Sequence, residues 1–142
     1  GFLAQVIGGQ RTVLATTSVP GPYRVGRYTV KVEEFEQVVV QELRAALRDP
    51  SRVIFVIDEI GKMELLAPSF AGLVFTCLAD PRPLIATTMS GPHPLVDRLK
   101  ARPDVRTIVL TEKNRDGLGQ ELPAMIKATL LGPRLIDRHR AM

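Results

Sequence analysis

The stretch from Arg52 to Leu65, RVIFVIDEIGKMEL, constrains the fold more than any other part of the chain. Five apolar residues, Val53 to Ile57, run without a polar break. Most are β-branched, with Phe55 among them, which suits a pleated surface. The run is too short for a helix core. It reads as a strand buried on both faces, the signature of a parallel sheet. It ends in two adjacent carboxylates, Asp58 and Glu59. Carboxylates at the carboxyl end of such a strand stand where open α/β sheets bind ligands. Side by side they repel each other, so the pair suggests a cation, usually a hydrated Mg²⁺. The plainer alternative is two solvated acids at a strand end.

The 142 residues suffice for one domain with its own core. No apolar run approaches the roughly 20 residues of a membrane span, and no signal-peptide pattern is present. Cys77 is the single cysteine. A disulfide framework is therefore excluded, and an intracellular, reducing compartment is expected. The net charge of +4 suits polyphosphate ligands but is too mild to indicate nucleic acid. Trp is absent and there are only five Phe and two Tyr, which argues against a base-stacking platform.

Around the acidic strand, the pattern alternates. Residues 2–7 and 12–16 flank Gly8-Gly9 and read as a β-hairpin, the glycines supplying positive φ. Residues 18–22 are a Pro/Gly loop. A short strand is expected at 28–32 and a helix over 33–48, with Phe35, Val38, Val39, Leu43, Ala46 and Leu47 on one stripe. Glu33, Glu34 and Glu36 near its start and Arg44 and Arg48 near its end complement the helix dipole. Residues 68–79 form a second amphipathic helix opened by Pro68. Strands are expected at 83–88 and 106–110, helices at 95–102 and 116–131, the last kinked at Pro123. Residues 1–131 thus form one α/β domain with a mostly parallel sheet, and residues 132–142 a basic tail.

Other candidates are weaker. Gly61-Lys62 is not the end of a phosphate-binding G-x-x-x-x-G-K-[ST] loop, because Val56 and Met63 stand where Gly and Ser/Thr are required. Gly117-Leu118-Gly119 lacks the third glycine of a dinucleotide fingerprint. Thr87 ends a strand, where its hydroxyl either meets a γ-phosphate or fills a strand end. Asn114 and Arg115 are either ligand contacts or a helix cap with a surface Arg. Arg24 and Arg27 read as a solvated loop. His93 and His139 have no zinc-ligand spacing around them.

The string DEIGKMEL, Asp58 to Leu65, resembles the Walker B segment of the small P-loop nucleoside-triphosphatases that include the cancer-related nucleoside-triphosphatase. Gly1-Phe2, RVGRYTV from Arg24 to Val30, Phe35-Glu36, HPLV from His93 and LTEKNR from Leu110 to Arg115 resemble further segments of that family, in the same order. The resemblance covers about residues 1–126. It implies a P-loop NTPase-like sheet and slow, Mg²⁺-dependent hydrolysis of ATP, GTP and other nucleoside triphosphates. It also implies Asp58 as the Mg²⁺ holder through water and Glu59 as activator of the attacking water. Asn114 and Arg115 would lie by the base; Lys62 and Glu64 belong to the motif without a clear role.

The family pattern opens with a strand, a P-loop and a helix ahead of the hairpin, and these 142 residues contain no such unit. The expectation is an incomplete domain with little or no activity of its own. A non-catalytic binding or regulatory protein is the rival of a different class. A nucleotide or small-molecule kinase is disfavoured, since no acceptor site or lid is evident. Neither a membrane nor a specific nucleic acid is expected as a partner.

Overall fold

The computed structural model describes residues 1–131. The basic tail expected at 132–142 lies outside the described residues. The chain forms a mixed α/β structure with two sheets. Strands β1 (Phe2–Gln5), β2 (Arg11–Thr16), β3 (Arg24–Val25) and β4 (Tyr28–Val30) make an antiparallel sheet in the order β1-β2-β4-β3. Strands β5 (Phe55–Ile60) and β6 (Leu84–Thr88) form a parallel pair. The sheet expected to be mostly parallel is therefore parallel only in β5-β6, and the larger sheet is antiparallel. The hairpins explain this: short connections can only join antiparallel neighbours.

The expected first hairpin is present, with Gln5 opposite Arg11. Gly8 has φ 72°, which its turn requires. Gly9 contributes differently. Its φ is not positive, and a Cβ there would lie 3.0 Å from Cγ1 of Val6. The second hairpin turns through Gly26-Arg27, with Gly26 at φ 56° and Val25 opposite Tyr28.

The expected first helix runs over 32–48 but changes pitch. Helix α1 (Val32–Phe35) passes into a π-helical segment (Glu36–Val40) and then into α2 (Gln41–Arg48). The Gln41 N–H reaches the carbonyl of Glu36, five residues back. This wider turn brings Val40 onto the buried side with Phe35, whereas α-helical spacing would have chosen Val39. Arg48 is followed by an Asp49-Pro50 stop, where Ser51 N–H and Oγ both donate to Oδ1 of Asp49.

Helix α3 (Pro68–Ala79) matches its expected bounds, opens on Pro68, and buries Phe70, Val74 and Cys77. Helix α4 (Pro94–Lys100) is capped by His93, whose Nδ1 accepts from Leu95 N–H. Helix α5 (Arg115–Leu131) carries Pro123 inside it. The core lies between β2, β4, the 32–48 helix, β5, α3 and α4, and includes Leu14, Val30, Phe35, Ile60, Phe70 and Val96. Phe35 and Phe70 meet edge to face at 5.3 Å. Burying each ring contributes about 1.5–3 kcal/mol.

Two strand expectations are corrected. Residues 106–110 form no strand. No ladder partner lies beside them among the described residues, and Val109 and Leu110 are 75% and 62% exposed. An apolar run alone cannot make a strand whose N–H and C=O groups find no neighbour. The strand read from Val53 to Ile57 begins at Phe55 and continues through the acids to Ile60. It is not buried on both faces: Phe55 and Ile60 are buried, but Val56 is 54% exposed, since β5 has one strand neighbour among the described residues.

Candidate active site

The parallel pair aligns Phe55 with Leu84, Val56 with Ile85 and Ile57 with Ala86, then slips so that Ile60 faces Thr88. Between Ile57 and Ile60, two residues of β5 stand against one of β6. The two are Asp58 and Glu59, and the one is Thr87. Such an irregularity re-aims side chains that would otherwise alternate strictly between faces. The Asp58–Glu59 peptide is cis. Both carboxylates are exposed. The Thr87 hydroxyl donates to Oδ1 of Asp58 at 2.5 Å. Thr87, weighed as a phosphate contact or a strand-end filler, here also holds the acid on the adjacent strand.

After β5 the chain turns tightly. The Leu65 N–H donates to the Gly61 carbonyl at 3.0 Å, and a 3-10 turn (Glu64–Leu66) follows. The turn returns the Glu64 carboxyl to the side of Gly61 where Glu59 lies. Burial holds the Glu64 carboxyl above the usual carboxylate range, the Glu59 charge adds to this, and backbone N–H groups of Glu64 and Gly61 oppose it. Lys62 is exposed on the same turn.

Asp58, Glu59 and Glu64 are among the residues lining a cleft of about 310 Å³. Its walls are the first hairpin (Leu3, Leu14), the 32–48 helix (Phe35, Val39, Leu43) and β5 (Val56, Ile57). An apolar cleft with a few converging polar groups is the usual form of a small-molecule site.

Asn114 and Arg115 stand apart from this group. The Asn114 side chain is occupied locally: Oδ1 accepts from Thr111 N–H and Nδ2 donates to the Val109 carbonyl, both at 2.8 Å. Arg115 is exposed, its Nε 3.6 Å from Asp116. Among the described residues, no hydrogen bond or ion pair joins Asn114, Arg115 or Lys62 to Asp58, Glu59 or Thr87. Arg27 is taken up by Tyr28, donating to its hydroxyl at 3.1 Å.

Two supporting contacts had no place in the sequence reading. Arg82 donates to both oxygens of Asp80 and to the carbonyls of Ala46, Leu47, Asp49 and Arg52, while its guanidinium lies 4.6 Å from the centre of the Phe55 ring. It thereby ties the end of α2 and the start of β5 to the turn before β6. The available signal was its setting, Asp80-Pro81-Arg82-Pro83, an Arg held between two stiff residues. Glu36 accepts from Ser69 N–H at 3.3 Å and so serves the start of α3, which has no side-chain cap of its own. No local pattern predicts a contact across 33 residues.

A family profile described as NTPase matches residues 1–123. The chain is 39% identical over 127 residues to the nucleoside-triphosphatase THEP1 of Thermotoga petrophila, covering 89% of this chain and 70% of that protein. It is 31% identical over 140 residues to the human cancer-related nucleoside-triphosphatase, covering 91% and 74%. The crystal structure of THEP1 from Aquifex aeolicus superposes with a TM-score of 0.72 at 29% identity, covering 84% of this chain and 73% of that one. The fold and the resemblance read from DEIGKMEL agree with these matches, and the chain belongs to the NTPase family of nucleoside-triphosphatases.

Proposed function

We propose that Asp58 and Glu59 carry the Mg²⁺-dependent hydrolysis of a nucleoside triphosphate such as ATP or GTP to the diphosphate and phosphate. The observation that carries this is the pair of exposed carboxylates lining a largely apolar cleft, one of them held by Thr87. Glu59 takes a proton from water as the water oxygen bonds to the γ-phosphorus; the bond from that phosphorus to the β-bridging oxygen breaks, and the diphosphate leaves. Asp58, fixed by the Thr87 hydroxyl, would hold the hydrated cation.

The residues present fit such an ion. No cluster of three or more metal-ligating side chains occurs among the described residues, so they offer no closed cage. That suits Mg²⁺, which keeps several waters and binds through one or two carboxylates plus substrate phosphates. When bound, the ion neutralises charge on the β- and γ-phosphate oxygens. Arg115, exposed at the start of α5 beside Asp116, would be the side chain that meets the base, whereas Asn114 orders the loop that presents it. Lys62, exposed on the turn after β5, would meet phosphate oxygens.

These 142 residues contain no G-x-x-x-x-G-K-[ST] loop, hence no backbone nest of that kind for the phosphates. By themselves they therefore turn over slowly. A reducing, intracellular setting accords with the one cysteine: Cys77 is buried, its thiol pushed up to about 11, chiefly by burial. No described helix is long and apolar enough to cross a membrane.

The test is single-turnover phosphate release from ATP and GTP with the chain in excess, with and without Mg²⁺. Slow, Mg²⁺-dependent release is expected, lowered about 100-fold or more by Glu59→Gln. Release indifferent to that substitution would overturn the assignment. So would the lack of any Mg²⁺-dependent nucleotide binding. A rate constant of about 1 s⁻¹ or higher, the range of ordinary turnover, would overturn the slowness.

A further inference from the structure

Gly61 follows β5 directly and is buried. Its backbone does not call for glycine. Among the described glycines only Gly8 and Gly26 have positive φ, so an L-residue can adopt the conformation at 61 without strain. The requirement is for space. A Cβ at Gly61 would stand 2.8 Å from Oε1 of Glu59, 3.2 Å from its Cδ, and 2.8 Å from Oε2 of Glu64. The three nearest atoms all belong to the two carboxyl groups, the far ends of side chains. A methyl group there would stand closer than contact distance to both carboxyl groups, so both must give way.

The two are not equally free. Glu64 is partly buried and sits on the turn closed by the Leu65 N–H bond to Gly61. Glu59 is exposed and projects from the bulged end of β5. Glu59 is therefore the one that yields more.

We propose that Gly61 is a positioning residue for hydrolysis: its missing side chain keeps open the place that the Glu59 carboxylate occupies, with Glu64 as the opposite wall. The proposal rests on the reading of Glu59 as the group that activates water. It gives Gly61 a purpose unrelated to the phosphate-loop pattern that Gly61-Lys62 superficially suggests.

Gly61→Ala separates this from a structural role, because the substitution displaces the ends of side chains rather than the backbone. In the full chain, single-turnover phosphate release should fall about 10- to 100-fold, the scale of a small misplacement of a reacting group. The Kd for Mg²⁺-nucleotide should stay within about 2-fold, a change of only about 0.4 kcal/mol. In a Glu59→Gln background, Gly61→Ala should cause no further loss, since both act through one carboxylate. Wild-type release by Gly61→Ala, while Glu59→Gln is impaired, would overturn the positioning role and leave the function standing. If wild-type release does not depend on Glu59, the function fails, and the ¹³C carboxyl resonance of Glu59 decides the geometry alone. A shift in that resonance on Gly61→Ala supports the displaced carboxylate, and an unchanged one overturns it. Should Gly61→Ala not fold, Glu64→Ala serves instead. With the opposite wall removed, release should fall several-fold, and wild-type release would overturn the proposal.

Discussion

The hydroxyl of Thr87 donates to Oδ1 of Asp58 across the parallel β5-β6 pair at 2.5 Å. The bond crosses the point where the ladder slips, so it orients an acid that the strand alone would leave to rotate. Charge-assisted O–H···O⁻ bonds of this length are among the stronger ones available to a side chain. Partners of a metal-holding carboxylate typically change metal affinity or activity 10- to 100-fold when lost. Thr87→Val keeps the shape and removes the donor. It is expected to weaken Mg²⁺-dependent nucleotide binding by about 10-fold, measured by titration calorimetry, while Thr87→Ser stays near wild type. Equal affinities for the Val variant and the wild type would show that Asp58 needs no such partner.

Arg82 acts at the other end of the same strands. Its guanidinium gathers carbonyls from Ala46, Leu47, Asp49 and Arg52, and both oxygens of Asp80. Only a planar fork with several donors can meet so many acceptors at once. Arg82→Lys keeps the charge and Arg82→Met keeps only the stem. Both are expected to lower the melting temperature, with Lys recovering little of the loss, because the carbonyls at the end of α2 are left with fewer donors. Thermal unfolding followed by circular dichroism checks this. A Lys variant as stable as wild type would mean that charge, not geometry, is what matters there.

Glu64 supplies a dependence on pH. Burial and the nearby Glu59 raise its folded-state pKa above 4.5, so the folded chain holds that proton more tightly than the unfolded chain. Stability from this source is complete below the unfolded pKa and is lost as pH rises through the folded value. Glu64→Gln carries no charge and escapes the loss. The melting temperature of the Gln variant relative to wild type should therefore grow as pH rises from below the unfolded carboxylate pKa through the raised folded one. A difference that stays flat over this range would mean that Glu64 ionises in the folded chain as readily as in the unfolded one.

What could be read beforehand follows from how local each signal is. Helix α3 was legible to the residue, because Pro68 opens it and Phe70, Val74 and Cys77 recur at helical spacing. The parallel pair was legible because Phe55–Ile57 and Leu84–Ala86 are apolar on either side of that helix. Arg106 to Leu110 was not, since its apolar residues resemble a strand until one asks what they pair with. At the site, Asp58 and Glu59 were visible as adjacent acids after an apolar run. The contribution of Thr87 depends on the register between two strands, and that of Arg82 on three segments meeting. Neither is written in any window of neighbouring residues.

The π-helical segment Glu36–Val40 has a consequence of its own. An α-helix advances about 100° per residue, so a wider turn resets the rotational phase of everything after it. Glu36 keeps the phase of α1 and faces Ser69, whereas Leu43 takes the phase of α2 and faces the cleft. The segment thus works as a gear in one continuous helix: it lets Glu36 brace α3 upstream while Leu43 downstream still joins Phe35 and Val39 in walling the cleft. Removing a single residue from it would leave both halves helical and yet turn one of them away from its task.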